Sequence, residues 1–298
     1  MLNFTNNGRL IAAGTYNGVP TQIYMSDDNP YSKVKYIEET NPLICPYCEK
    51  IYSTKHHKKR HYDSCAVKYL LDKNNKTSLY FSNCFPIPNT RIRDCIYIAG
   101  PAGAGKTTWC RQYIEKFHNM KPDYNIIVIS SIAEDNAFKG LPCKIQQLEL
   151  SEIKKDIKNK EDLDYLDIEN FRKSLIIFDD IEYRDRQISN ILLELLYDCI
   201  QNGRDHTYQD EDIYLLITSH KLTNYRKTRL ILDEATGIVV FPNSQGKATI
   251  IKYAERYLNM KKKDINKMLN TNSRWLYIAK STPPYLIYDD SIRCDITY

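Results

Sequence analysis

The stretch that most narrows what this chain can fold into is Ile96-Tyr97-Ile98-Ala99-Gly100-Pro101-Ala102-Gly103-Ala104-Gly105-Lys106-Thr107-Thr108. An apolar run ends in a glycine-rich turn that opens directly into a helical pattern. Gly100, Gly105, Lys106 and Thr107 fit G-x-x-x-x-G-K-[ST], the pattern of a loop whose backbone N–H groups, across residues 100–108, wrap the phosphates of a nucleotide. In that pattern Lys106 reaches the β/γ oxygens and Thr107 ligates Mg²⁺. Glycine lets the backbone approach that closely, and the positive end of the helix beginning near Gly105 adds to the same anion site. Trp109, Tyr113, Ile114 and Phe117 then recur at helical spacing. The strand, loop and helix that the motif needs are all legible.

A chain of 298 residues, 42% hydrophobic, can bury a full core and hold one large or two unequal domains. Its formal net charge of +5 permits a polyanionic partner without demanding one. No apolar run approaches the roughly 20 residues of a membrane-spanning helix, and residues 1–7 lack the charged-then-apolar order of a signal peptide. Among nine cysteines, three sit at metal-ligand spacing and the others follow no disulfide framework. A reducing, intracellular setting is therefore expected.

Ahead of the loop, residues 1–41 contain a possible hairpin, Arg9 to Thr15 and Pro20 to Met25 across Tyr16-Asn17-Gly18, with no evident chemistry. Cys45-Pro46-Tyr47-Cys48 follows, then twelve residues to His61 and three more to Cys65. This spacing points to zinc held by Cys45, Cys48, His61 and Cys65. The form resembles the C2H2 zinc-finger family with the last histidine replaced by cysteine, and a thiolate serves tetrahedral Zn²⁺ equally well. Tyr52 fills the aromatic core position of such fingers. Lys58 stands where they place a core leucine, so zinc would stabilise residues 42–67 with little apolar help. The helix expected through Lys55 to His61 is strongly basic. Docked like a DNA-reading finger it turns Thr54, His57 and Arg60 toward bases, while a backbone-contacting or protein-docking role stays open. Residues 68–90, polar from Asp72 to Lys76 and interrupted by Pro86 and Pro88, read as a linker.

From Arg91 onward strands alternate with helices: Ile92 to Ala99, the helix after the loop, Asn125 to Ser131, a polar helix-like stretch from Ser151 to Asn170, and Lys173 to Asp179. That order predicts an α/β fold with a mostly parallel central sheet. Ser174-Leu175-Ile176-Ile177-Phe178-Asp179-Asp180 is an apolar strand ending in two carboxylates, the form of a Walker B segment. Asp179 is expected to hold Mg²⁺ through water. Asp180 is the candidate base for an attacking water, with Glu182 the runner-up. Ile188, Ile191, Leu192, Leu195, Leu196 and Cys199 share one helix face as core, and Gly203 ends that helix. Asp212 to Thr218 is a further strand. Ser219 at its end stands where P-loop motors place a polar sensor of the γ-phosphate; His220 could do the same, and capping of the next helix is the alternative.

Several stretches together resemble the viral genome-packaging ATPases of poxviruses and giant DNA viruses, members of the FtsK/HerA superfamily. They are residues 100–108, Leu175 to Asp180, Gly203-Arg204-Asp205-His206, Ile217-Thr218-Ser219-His220 and Thr228 to Ala235. The likeness spans residues 92–285. It implies a P-loop domain of the additional-strand type over residues 91–258 with a C-terminal extension over 259–298. It also implies ATP and Mg²⁺ as cofactors, double-stranded DNA as partner, a homo-oligomeric ring, capsid or nuclease components nearby, and a location in the host cytoplasm or virion. An arginine from a neighbouring subunit, Arg204 or Arg229, is expected to stabilise transition-state charge. That family usually carries Asp-Glu at the strand end, so Asp180 departs from its pattern. Lys261-Lys262-Lys263 to Lys267 and Ser273-Arg274-Trp275 form a basic region that either lines a DNA path or is a solvated face. Two rival readings share the loop: a nucleotide or small-molecule kinase, for which no lid insert is evident, and a zinc-finger adaptor whose P-loop is a nucleotide switch.

Overall fold

A computed structural model describes residues 2–3, 9–16, 19–25, 78–80, 82–89, 92–131, 136–159, 162–180, 185–204, 211–223, 228–281 and 284–293. In chain order its elements are β1 (Leu2–Asn3), β2 (Arg9–Tyr16), β3 (Val19–Met25), β4 (Ser78–Tyr80), β5 (Ser82–Pro86), β6 (Cys95–Ala99), α1 (Lys106–Met120), β7 (Asn125–Ser130), β8 (Ile145–Glu149), α2 (Leu150–Asn159), β9 (Ser174–Phe178) and α3 (Arg186–Asn202). They continue with β10 (Ile213–Ser219), α4 (Arg229–Glu234), β11 (Gly237–Val240), α5 (Lys247–Tyr257), α6 (Lys262–Leu269), β12 (Leu276–Ala279), β13 (Tyr285–Tyr288) and β14 (Ser291–Arg293).

Among the described residues, ten strands pair in the order β4-β14-β13-β12-β11-β6-β10-β9-β7-β8. The stretch from β11 to β8 is parallel throughout, and β12, β13, β14 and β4 extend it antiparallel. Strands β6, β9 and β10 are buried along their whole length and mostly apolar because both faces of the sheet are covered. Along β9, Ile176 and Phe178 pack with α3, whereas Leu175 and Ile177 pack with Trp109, Tyr113 and Phe117 of α1. This period-two division makes an unbroken apolar run a strand buried on both sides. Strand β10 lies between β6, which leads into the glycine-rich loop, and β9, which ends at Asp179.

Four segments differ from their sequence reading. Residues 78–86 were expected to be linker, yet β4 pairs with β14 and β5 pairs with β2. Pro86 is tolerated because β5 is the edge of the smaller sheet, ordered β1-β3-β2-β5, where a missing N–H leaves no ladder bond broken. The polar stretch expected to run as helix to Asn170 stops at Asn159. Short 3₁₀ turns follow at Asp164–Leu166 and Ile168–Phe171, the second started by the Asp167 carboxylate accepting from the Glu169 N–H. Strand β8 and the strands after Trp275 are the other two additions, short runs in which periodicity cannot separate strand from helix. The expected hairpin forms, with β2 antiparallel to β3.

Outside the described residues lie Cys45, Cys48, His61 and Cys65 with the rest of the finger (Thr54, His57, Arg60), and also Glu182, Asp205 and His206. Among the described residues no group of His, Cys, Asp and Glu is arranged to hold a metal ion, and no helix is long and apolar enough to cross a membrane.

Candidate active site

The loop between β6 and α1 is shaped by close approach. A Cβ at Gly100 would come within 2.7 Å of the Phe241 ring, and Gly105 adopts φ +106°, a left-handed backbone that favours glycine. The Gly100 N–H donates to Ser219 O at 3.0 Å, tying the loop to the end of β10. No side chain caps α1, and its first turn-closing bond runs from the Trp109 N–H to Gly105 O at 2.9 Å. Helical geometry provides no intrahelical acceptor for the N–H groups of the first turn of α1, and that end of a helix suits an anion.

Lys106 turns back over this loop. Its Nζ donates to Gly100 O at 2.8 Å and Pro101 O at 3.3 Å, and stands 3.4 Å from His220 Nδ1. His220 Nε2 in turn lies 2.8 Å from Asp180 Oδ2. One tautomer satisfies both contacts: Nδ1 accepts from Lys106 and Nε2–H donates to Asp180. Asp180 Oδ1 is buried without a hydrogen-bond partner among the described residues, and the residue sits at φ +56°, an unusual backbone for a non-glycine. Such strain is often held at functional positions.

Asp179 is oriented from two strands. Thr218 Oγ1 donates to Asp179 Oδ1 at 2.9 Å and accepts from the Asp180 N–H at 2.8 Å, while Ser130 Oγ donates to Asp179 Oδ2 at 3.2 Å. Burial pushes the Cys110 thiol well above its ordinary pKa, with the Asp179 carboxylate adding to the rise and Lys106 opposing it. The Asp179 carboxylate and Thr107 hydroxyl are hard oxygen donors of the kind that suits Mg²⁺.

The structure brings together Lys106, Asp179, Asp180 and His220. The Ser219 hydroxyl is turned elsewhere: it donates to Lys221 O at 3.0 Å and accepts from the Lys221 N–H at 3.1 Å, a local turn cap. Arg204 follows Gly203, whose carbonyl accepts from the Ile213 N–H at the start of β10. That is the end of the strand opposite Ser219, roughly 20 Å away along seven residues. Arg229 opens α4, mostly exposed, with its Nε 3.9 Å from Asp233. Thr218 and Ser130 escaped the sequence reading; polar residues near the carboxyl ends of apolar parallel strands were the available signal, because open α/β sheets bind ligands there.

The NB-ARC domain family matches residues 89–200, a span that holds both the loop and the acidic strand end. With the geometry above, this makes the chain a P-loop NTPase. A protein of Sputnik virophage, described as uncharacterized protein V3, is 31% identical over 212 residues, covering 70% of this chain and 80% of that protein. The chain belongs to the family of the virophage V3 protein. Among solved structures, the genome packaging NTPase B204 from Sulfolobus turreted icosahedral virus 2 in complex with sulfate is 12% identical, covers 67% of this V3-family chain and 96% of its own, and superposes with a TM-score of 0.40. The pCW3 conjugation coupling protein TcpA with ATPγS is 10% identical, covers 94% and 76%, and gives a TM-score of 0.42. Likenesses at that level carry no argument about activity, which rests on the site itself.

Proposed function

We propose that the chain is an ATP-hydrolysing motor acting on double-stranded DNA, with viral genome packaging as its task. The observation that carries the chemistry is the run Lys106, His220, Asp180, which joins the phosphate loop to the acidic strand end across β10. In this reading Lys106 leaves the carbonyls of Gly100 and Pro101 for the β/γ oxygens of ATP. His220 keeps its hold on Asp180 Oδ2, leaving Oδ1 to accept a proton from the attacking water, with Glu182 the alternative base. Thr107 and Asp179 would hold Mg²⁺, which supplies charge neutralisation at the phosphates. Arg204 or Arg229 of an adjoining copy completes the charge balance in a ring. The packaging task is supported by the sequence resemblance and by the viral source of the V3 relative. DNA contact is supported by the lysines of the segment 261–267 and by the basic segment 55–61. Zinc on Cys45, Cys48, His61 and Cys65 belongs to this proposal, as does the division into a finger (42–67) and a P-loop domain (91–258) with its extension.

Steady-state ATP hydrolysis with and without duplex DNA tests the reading. Turnover is expected to rise several-fold with DNA and to fall to background in Lys106→Ala. A rate indifferent to DNA but raised by a nucleoside or metabolite acceptor would make the protein a kinase, and slow hydrolysis indifferent to both would make it a nucleotide switch.

A further inference from the structure

His220 stands where three parts of the site meet. Its Nδ1 lies 3.4 Å from Lys106 Nζ at the start of α1, and its Nε2 lies 2.8 Å from Asp180 Oδ2 just beyond β9. Its chain neighbour Ser219 holds the phosphate loop, because the Ser219 carbonyl accepts from the Gly100 N–H at 3.0 Å. One ring nitrogen therefore faces an ammonium and the other a carboxylate. On its own element Lys221 comes next, its backbone engaged by the Ser219 hydroxyl. The carboxylate that precedes Asp180, Asp179, accepts from Thr218 and Ser130. The side chains of His220 and Asp180 are 41% and 36% exposed, so solvent can deliver a proton to the ring. An opposite charge within about 4–6 Å favours the charged form of a group, and a like charge disfavours it. In the arrangement seen here, the Lys106 ammonium donates to Nδ1 and opposes a proton there.

We propose that binding of a nucleoside triphosphate is coupled to the uptake of one proton at His220 Nδ1, and that the resulting imidazolium is a second cation at the γ-phosphate, bridging it to Asp180. The inference rests on the P-loop reading, in which Lys106 Nζ turns from Gly100 O, Pro101 O and Nδ1 to phosphate oxygens. Nδ1 then loses its cation and meets a polyanion, with the Asp180 carboxylate still on the opposite edge of the ring. A lone pair aimed at an anion is repelled, whereas an N–H aimed at it makes a charge-assisted hydrogen bond. The proton comes from solvent, and only the Nδ1–H bond forms. Imidazole suits this task because it changes charge near neutral pH; glutamine or serine in its place would offer hydrogen bonds without charge. The site thus acquires a charge when it is filled, in addition to the arginine expected from an adjoining copy.

Calorimetric titration of the full chain with Mg·ATPγS, repeated in HEPES and in Tris, counts the protons, because the two buffers differ in their heats of ionisation. At about pH 7.5 an uptake on the order of 0.5–1 proton per bound nucleotide is expected. ADP, which lacks the γ-phosphate, is expected to bind with less than half of that uptake. His220→Gln keeps an amide donor for Asp180 and cannot ionise. It is expected to bind ATPγS within about tenfold of wild type, with the buffer dependence gone, and to hydrolyse ATP about 100-fold more slowly. Wild-type turnover is expected to fall as pH rises from about 7 to 9, as the imidazolium is lost, and the residual turnover of His220→Gln to stay level over that range. Uptake that persists in His220→Gln, or a wild-type chain that binds ATPγS with no uptake, would overturn the proposal and leave the P-loop reading standing. Equal uptake with ADP would overturn the contact with the γ-phosphate. Failure of the wild-type chain to bind ATPγS would overturn both readings.

Discussion

At the scale of single residues, one hydroxyl organises both acids at the strand end. Thr218 is fully buried, donates a hydrogen bond to Asp179 and accepts one from the N–H of Asp180. A hydrogen bond to a charged group is worth about 1.5–3 kcal/mol, and its loss strands both partners. If hydrolysis depends on the placement of those carboxylates, Thr218→Val, nearly equal in volume, is expected to lower ATP turnover about 10- to 100-fold. Thr218→Ser keeps the hydroxyl and is expected to recover most of it. Steady-state kinetics of the pair decides: equal turnover in Val and Ser variants would show that the hydroxyl does not position the acids. His220 belongs to the same scale. Its sequence position alone left it level with Ser219, and only the direction of each side chain, toward Lys106 and Asp180 or toward Lys221, separates them.

At the scale of elements, the foot of β6 holds a buried carboxyl whose protonation bears on folding. Asp94 is 4% exposed and accepts from the Tyr113 hydroxyl at 2.6 Å and the Asn89 N–H at 2.8 Å. Burial raises its pKa to about 6, with those hydrogen bonds and the more distant Arg9 opposing the rise. The folded chain therefore binds a proton that the unfolded chain has released between about pH 4 and pH 6. This contribution to stability is fully present below about pH 4 and is lost as pH rises through about 6. Asp94→Asn, which cannot ionise, is expected to flatten that part of the stability profile, measured by denaturant unfolding at pH 4.5 and 7. An unchanged slope would assign the dependence to other groups. Elements were legible wherever a pattern and a punctuating residue coincided. The loop, α1, β7, β9, α3 and β10 all have readable apolar periodicity, and β6, β9 and α3 are closed by Gly100, Asp179 and Gly203. Strands β5, β12 and β13 were not legible, because segments of four or five residues gain strand character only from a neighbour, here β2, β11 and β12, that local sequence does not reveal.

At the scale of the whole molecule, the described residues gathered at the site, Lys106, Asp179, Asp180 and His220, include one lysine and no arginine. Lys106 is one cation and the loop N–H groups add partial charges, but hydrolysis of a nucleoside triphosphate in this class draws on a further arginine. Arg204 sits beyond the far end of β10, the strand whose other end touches the loop, too far to reach the loop of its own chain. Arg229 is exposed at the start of α4, and its 3.9 Å pairing with Asp233 is a surface contact that holds it weakly. Supplied in trans, an arginine accelerates related P-loop enzymes by about 10³ to 10⁵. Arg204→Ala or Arg229→Ala is therefore expected to bind ATP normally and hydrolyse it far more slowly. Mixing the inactive arginine variant with Lys106→Ala is then expected to restore part of the activity, because an intact loop in one copy meets an intact arginine in the next. Full turnover in both arginine variants, or full turnover by a monomer in sedimentation-matched assays, would mean that each chain completes its own site and that the assembly does no chemistry.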